Sequence, residues 1–373
     1  MHDETLGVHA GRLVDPVTGA VALPLHLSTT FERDPDGGFS RGYNYIRDAN
    51  PVRDAFEQCM REFEEARDAI AVPSGMAAAY AVLQTLGPGD RVVCAHDVYY
   101  GVRDLLRDYF PRWGIEATFV DAKDLAAVRA ACTPETKLIW IETPSNPLIE
   151  VIDIAACAEI ARAAGAILVC ENTFASPVVQ RPFRHGADVV VHSVTKYLAG
   201  HSDVMAGVVL VADNTDLANR VRAFQRVAGA VLSPFDAWLA LRGIQTLAAR
   251  MRVHCDNALA VARFLAAHPA VARVRYPGLE TDPGYAVASK QMNGYGGMLS
   301  FEIHGGREEA FALASRLKLI TRATSLGGTH TLVEHRASIE GPNTRAPESL
   351  LRLSIGIEHP SDIIEDLDRA LRG

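Results

Sequence analysis

Lys196 sits where a lysine can do chemistry. It follows the run DVVVHS (188–193) and precedes YLAGHSD (197–203), at the mouth of an apolar segment and beside the hydroxyls of Ser193 and Thr195. A lysine held in such a setting sheds its proton readily and forms a Schiff base with a carbonyl compound. Ser193 and Thr195 can donate hydrogen bonds to a phosphate. A second phosphate cradle is offered by Ser74-Gly75-Met76, which leads into the apolar helical pattern AAAYAVLQTL. The first amides of a helix lack helical partners and carry the positive end of its dipole. Other apolar runs end in Tyr99-Tyr100-Gly101, in Glu142-Thr143-Pro144-Ser145-Asn146-Pro147 and in Glu171-Asn172. Four polar strand ends of this kind point to one shared ligand site.

The elements that must position these groups are legible as runs rich in Val and Ile at 91–95, 117–122, 137–142, 166–172, 187–193 and 207–213. They are continuously apolar, and Ala-rich helical patterns lie between several of them, most clearly at 153–164. This is the pattern of an α/β domain over 50–240, with a mostly parallel sheet covered by helices on both faces. Its first helix starts at Asn50-Pro51 and carries Val52, Phe56, Met60 and Phe63 at helical spacing. Residues 1–49, dense in Pro and Gly punctuation, read as an arm. A helical tract from Pro234, expected to bend at Gly243, leads into a smaller α+β domain over 241–373.

The chain has 373 residues, with 37 basic and 45 acidic side chains giving a formal charge of −8. That balance argues against a nucleic-acid partner. No apolar stretch approaches the length of a membrane span and the N-terminus lacks an apolar signal core, so no membrane partner and a cytoplasmic location are expected. The six cysteines show no ligand-like spacing and the histidines form no metal motif, so no metal site is expected.

Taken together, the motifs resemble the pyridoxal-phosphate (PLP)-dependent cysteine and methionine metabolism family, of PLP-dependent transferase fold type I. The resemblance runs through Tyr45-x-Arg47-x-x-Asn50-Pro51, Ser74-Gly75-Met76-Ala77, Tyr100-Gly101, the segments 142–147 and 171–177, Ser193-Val194-Thr195-Lys196, Gly200-His201-Ser202-Asp203, Ser325-Leu326-Gly327-Gly328 and Leu351-Arg352-Leu353-Ser354. It implies pyridoxal 5'-phosphate as cofactor, with Lys196 as its anchor and the proton shuttle. It places Tyr100 over the ring and near that lysine as an acid-base partner. Gly75, Met76, Ser193 and Thr195 would hold the phosphate, Glu171 the ring nitrogen, and Asn146 the ring oxygen or the substrate carboxylate. Arg352, helped by Ser325, would bind the carboxylate. Tyr45 and Arg47 would reach the phosphate of a neighbouring subunit, which implies a homodimer at least and usually a homotetramer.

Four positions depart from the family pattern. Glu171 stands where Asp is usual, Val102 where methionine gamma-lyases carry Cys, Thr324 where many relatives have Glu near the distal end of the substrate, and His330 where Glu is common. The expected activity is carbon–sulfur cleavage of the cystathionine gamma-lyase kind on small amino-acid substrates. The alternative is cystathionine gamma-synthase chemistry, followed by beta-lyase, methionine gamma-lyase and aminotransferase readings.

Overall fold

The apolar runs fold as strands because Val and Ile fit a pleated surface buried on both faces. The computed structural model describes residues 1–341 and 344–373. In chain order the strands are β1 (Asp68–Val72), β2 (Arg91–Ala95), β3 (Glu116–Val120), β4 (Thr136–Glu142), β5 (Ile167–Glu171), β6 (Val189–Ser193), β7 (Gly207–Val211), β8 (Val271–Arg275), β9 (Met298–Ile303), β10 (Thr321–Arg322), β11 (Leu332–His335) and β12 (Leu350–Ser354). All six expected runs are strands, each within two residues of its expected ends. β1 was not foreseen: its sequence, DAIAV, is short and three of its five residues are alanine or aspartate, so it carries little strand signal.

Chain contacts group residues 1–87 with 188–248 and residues 88–187 with 249–373. This division runs along different lines from the sequence-ordered segments 1–49, 50–240 and 241–373. In the first unit β7 pairs antiparallel with both β1 and β6. The helices Pro51–Glu64, Gly75–Leu83 and Thr215–Val227 cover these strands. Asn50 caps the first of them by accepting the Val52 N–H at 3.0 Å, and its amide donates to His26 O at 3.0 Å, which pins the arm to the helix start. The arm also contains a short helix, Asp3–His9, that its punctuated sequence did not predict.

In the second unit β5, β4, β2 and β3 form a parallel set in that order, covered in part by the helix Ile154–Ala164. A separate sheet runs β10-β11-β12-β9-β8, antiparallel except between β10 and β11. The helices Leu247–Ala267, Arg307–Arg316 and Pro360–Arg372 share a core with it that includes Leu265, Phe301, Leu353 and Leu367. The helical tract from Pro234 breaks at Gln245-Thr246, just beyond Gly243. The architecture is an α/β fold with mixed parallel and antiparallel pairing, flanked by helices. Among the described residues no helix is long and apolar enough to cross a membrane.

Candidate active site

The turn that carries Lys196 is fixed by its backbone. After β6 ends at Ser193, the Lys196 N–H donates to Ser193 O at 3.2 Å and the Gly200 N–H donates to Lys196 O at 2.8 Å. Tyr197, Leu198 and Ala199 are buried, so the turn is anchored by packing while Lys196 stays half-buried. The Thr195 hydroxyl donates to Ala206 O at 3.2 Å and accepts the Ala206 N–H at 3.0 Å. It thereby ties the turn to the chain just before β7, and its one proton is already committed. Behind the turn, His192 and Glu64 form a fully buried hydrogen-bonded pair.

Beside this turn lies the start of the helix Gly75–Leu83. Ser74 caps it by accepting the Ala77 N–H at 3.0 Å, and the amides of Gly75 and Met76 have no partner within the helix. A Cβ on Gly75 would stand 2.8 Å from Ser193 Cβ and 3.0 Å from its Oγ. A Cβ on Gly207 would stand 2.1 Å from the Ser74 carbonyl oxygen. Two glycines thus let strand and helix start approach closely enough to put the Ser193 hydroxyl against open helix amides. A cradle that one methyl group would fill, lined by helix-start amides and a hydroxyl able to donate, fits a phosphate group. Tyr45 and Arg47 lie on the exposed arm of the same unit. The Arg47 guanidinium stands 5.6 Å from the Tyr45 ring centroid and donates to Arg226 O at 3.0 Å.

In the second unit, β4 and β5 end in register at Glu142 and Glu171. Glu142 is fully buried and accepts the Tyr99 N–H at 2.7 Å, while the Thr173 hydroxyl donates to Glu171. Burial holds the Glu142 carboxyl well above the usual carboxylate range, and the Glu171 carboxylate pushes it further. Burial likewise raises the Tyr99 phenol, helped by its hydrogen bond with Tyr100. The rings of Tyr99 and Tyr100 pack at 4.6 Å.

Arg352, on β12, is 3% exposed. It donates through Nη1 to Asn146 Oδ1 at 2.7 Å and through Nη2 to Glu334 at 2.5 Å and to Ser325 O at 3.1 Å. Ser325 adopts the left-handed conformation, with φ 79°, in the segment that carries this carbonyl. Glu334 lies directly across the strand pair from Arg352. It also accepts from Arg336 at 2.9 Å; Arg336 in turn pairs with Glu340, and Glu340 with Arg103, both at 3.0 Å. The Arg336 guanidinium stands 5.9 Å from the Tyr100 ring centroid. A buried chain of alternating charge therefore connects the arginine assigned to the carboxylate with the tyrosine assigned to the ring. Glu334 and Arg336 were missed from sequence, since nothing in their local spacing distinguishes them from other charges. Thr324 and His330 are exposed.

The 142–147 segment is held by a buried carboxylate. Asp97 accepts from the Ser145 hydroxyl and from the Leu148 N–H, the latter at 3.3 Å. Its Oδ1 has no partner among the described residues. Burial pushes the Asp97 carboxyl up to about 6 from an ordinary 3.8. The folded pKa lies above the unfolded one, so the stabilisation is full below about pH 4 and is lost as the pH rises through 6. Relative to wild type, Asp97→Asn is expected to gain about 2–3 kcal/mol of stability between pH 4 and pH 8. Denaturant melts of both proteins at the two pH values test this. A variant-minus-wild-type difference that does not change with pH overturns it.

A lysine turn beside a cradle that fits a phosphate group, within an α/β fold, is the arrangement that a phosphorylated carbonyl cofactor would need. The family model for the Cys/Met metabolism PLP-dependent enzyme matches residues 4–372. The chain belongs to that family and is a PLP-dependent enzyme of the cystathionine gamma-synthase and lyase group. It is 46% identical to the cystathionine gamma-synthase of Mycobacterium tuberculosis, over 98% of this chain and 96% of that protein. It is 42% identical to the cystathionine gamma-lyase of Bacillus subtilis, over 100% of this chain and 99% of that one. The crystal structure of metB from Corynebacterium glutamicum superposes with a TM-score of 0.97 at 42% identity, covering 100% of this chain and 98% of that one.

Proposed function

We propose that the chain is a cystathionine gamma-synthase: it joins cysteine to an O-acylated homoserine, forming cystathionine and releasing the carboxylic acid. The Cγ–O bond breaks, the Cγ–S bond forms, and the thiol proton balances the departing carboxylate. The observation that carries this over the lyase reading, which the sequence put first, is the 46% identity to a protein of that name against 42% to a named gamma-lyase.

In this reading the amides of Gly75 and Met76 and the hydroxyl of Ser193 hold the phosphate, with Thr195 fixing the turn. Lys196 anchors the cofactor and moves protons at the substrate carbons, with Tyr100 as its acid-base partner. Glu171 supplies negative charge to the ring nitrogen. Asn146 and the Ser325 carbonyl hold the Arg352 guanidinium in place for the substrate carboxylate, and Thr324 borders the distal end. When bound, pyridoxal phosphate supplies the electron sink that makes the substrate carbons acidic. The protein contributes position and proton transfer.

Product analysis on O-acetyl- and O-succinylhomoserine with and without cysteine, and on cystathionine alone, tests the assignment. Cystathionine formation should exceed 2-oxobutanoate release by about tenfold or more, a barrier difference of about 1.4 kcal/mol. Dominant 2-oxobutanoate release from cystathionine would select the lyase reading instead.

Assembly is part of the same reading. Tyr45 is 45% exposed and Arg47 is also exposed, which leaves both available to a neighbouring subunit. In mixed dimers of Arg47→Ala and Lys196→Ala chains, one of the two sites regains both side chains, so activity near half that of wild type is expected. No recovery in verified mixed dimers means that the arm serves its own subunit.

A further inference from the structure

We infer that Glu334 sets the carboxylate preference of Arg352. It fixes the plane of the guanidinium, while Arg336, sharing the same carboxylate oxygen, keeps Arg352 from being neutralised. Glu334 is thus a positioning residue. The inference rests on the reading above in which Arg352 binds the substrate carboxylate.

Strand register brings the two side chains together. Glu334 and Arg352 are direct partners in the antiparallel pair of β11 and β12, where opposed side chains share one face of the sheet. Both are buried, at 7% and 3% exposed. Asn146 Oδ1, the Ser325 carbonyl and Glu334 Oε2 accept from the guanidinium, and of these three only Glu334 is charged. Hydrogen bonds to an ionised partner are about twice as strong as neutral ones. The guanidinium is planar and its donors form a rigid fork. Glu334 at Nη2 and Asn146 at Nη1 therefore define the plane in which Arg352 meets a carboxylate, and Glu334 supplies the larger part of that hold.

An anion devoted wholly to Arg352 would cancel the charge that a substrate carboxylate needs. Arg336 prevents this. Its Nη1 donates at 2.9 Å to Glu334 Oε2, the same oxygen that Arg352 Nη2 reaches at 2.5 Å. Among the described residues no hydrogen bond reaches Glu334 Oε1. Two guanidinia thus share one carboxylate oxygen, and part of the anion's field is spent on Arg336. Arg336 is itself tethered from behind: its Nη2 donates to Glu340 at 3.0 Å, and Glu340 also accepts from Arg103 at 3.0 Å and from the Thr344 hydroxyl at 3.1 Å. With a neutral side chain at position 334 the two buried guanidinia repel each other, strongly because little water screens them. Arg336 stays with Glu340. Arg352, held at Asn146 and Ser325 by neutral acceptors, is the one that turns.

Titration of the holoenzyme with L-alanine and with L-alaninamide, followed by cofactor absorption, isolates the carboxylate. The ratio of the two dissociation constants measures the preference for it, and the difference in amine basicity between the probes is common to every variant and cancels. In Glu334→Gln the preference should fall by about tenfold or more, the equivalent of 1.4 kcal/mol. A purely structural role weakens both probes alike, so a wild-type ratio in folded Glu334→Gln overturns the proposal. If Glu334→Gln does not fold, Glu334→Asp keeps the charge but withdraws it by one methylene; a lowered ratio there supports the proposal and a wild-type ratio overturns it. Arg352→Gln separates this failure from that of the underlying reading. Loss of the preference in Arg352→Gln with its retention in Glu334→Gln refutes only the role of Glu334, whereas a wild-type ratio in Arg352→Gln refutes the carboxylate reading on which it rests.

Discussion

Lys196→Ala is expected to lower turnover by about 10²–10⁴-fold through loss of proton transfer alone, and further through loss of the cofactor anchor. The fold should survive. The turn is held by the Ser193 carbonyl, the Gly200 amide and the buried side chains of Tyr197 and Leu198, none of which depends on the lysine side chain. Steady-state rates on O-acylhomoserine with cysteine measure the loss, and circular dichroism checks the fold. Borohydride reduction of wild type followed by peptide mapping should find the cofactor on Lys196. Added small primary amines should restore part of the proton transfer in the variant. Full activity in Lys196→Ala, or trapped cofactor on another lysine, would sink the assignment.

Gly207→Ala is expected to cost both stability and cofactor affinity, although it changes no reacting group. Its Cβ would lie 2.1 Å from the Ser74 carbonyl oxygen and 2.9 Å from the Gly75 nitrogen, both backbone atoms that no rotamer change can move aside. Either β7 or the start of the helix Gly75–Leu83 must shift. Overpacking of this kind costs about 1–3 kcal/mol or more. The helix start is also the proposed phosphate cradle, so cofactor affinity is expected to fall by more than about tenfold, the equivalent of 1.4 kcal/mol. Denaturant melts and pyridoxal-phosphate titration measure the two effects. Gly306→Ala serves as control, because its Cβ would meet only a Glu309 carboxylate oxygen at 3.8 Å. Cofactor affinity at the wild-type level in folded Gly207→Ala would show that the cradle does not hold the phosphate.

Glu171 carries an extra methylene relative to the aspartate usual in the family. It lies in register with Glu142, whose carboxyl burial holds well above the usual carboxylate range, and it accepts a hydrogen bond from the Thr173 hydroxyl. The charge is conserved and its supports are local to the ends of two strands.

Much of this protein was determined by its sequence alone. Continuous apolar runs set six strands, Asn50-Pro51 set a helix start, and the position of Lys196 after a buried strand indicated Schiff-base chemistry. Each of these depends on residues within about one turn or one strand of each other, where spacing and side-chain type decide the backbone. Tertiary structure decided the rest. The antiparallel direction of β7, the clearance that Gly207 gives Ser74, the Glu334 and Asn146 partners of Arg352, and the neighbouring carboxylates of Glu142 and Glu171 all join residues distant in the chain. Asn146 and Arg352 are 206 residues apart. Local propensity cannot specify which buried charge will face which. That choice follows from strand register, and register follows from the burial of whole faces at once.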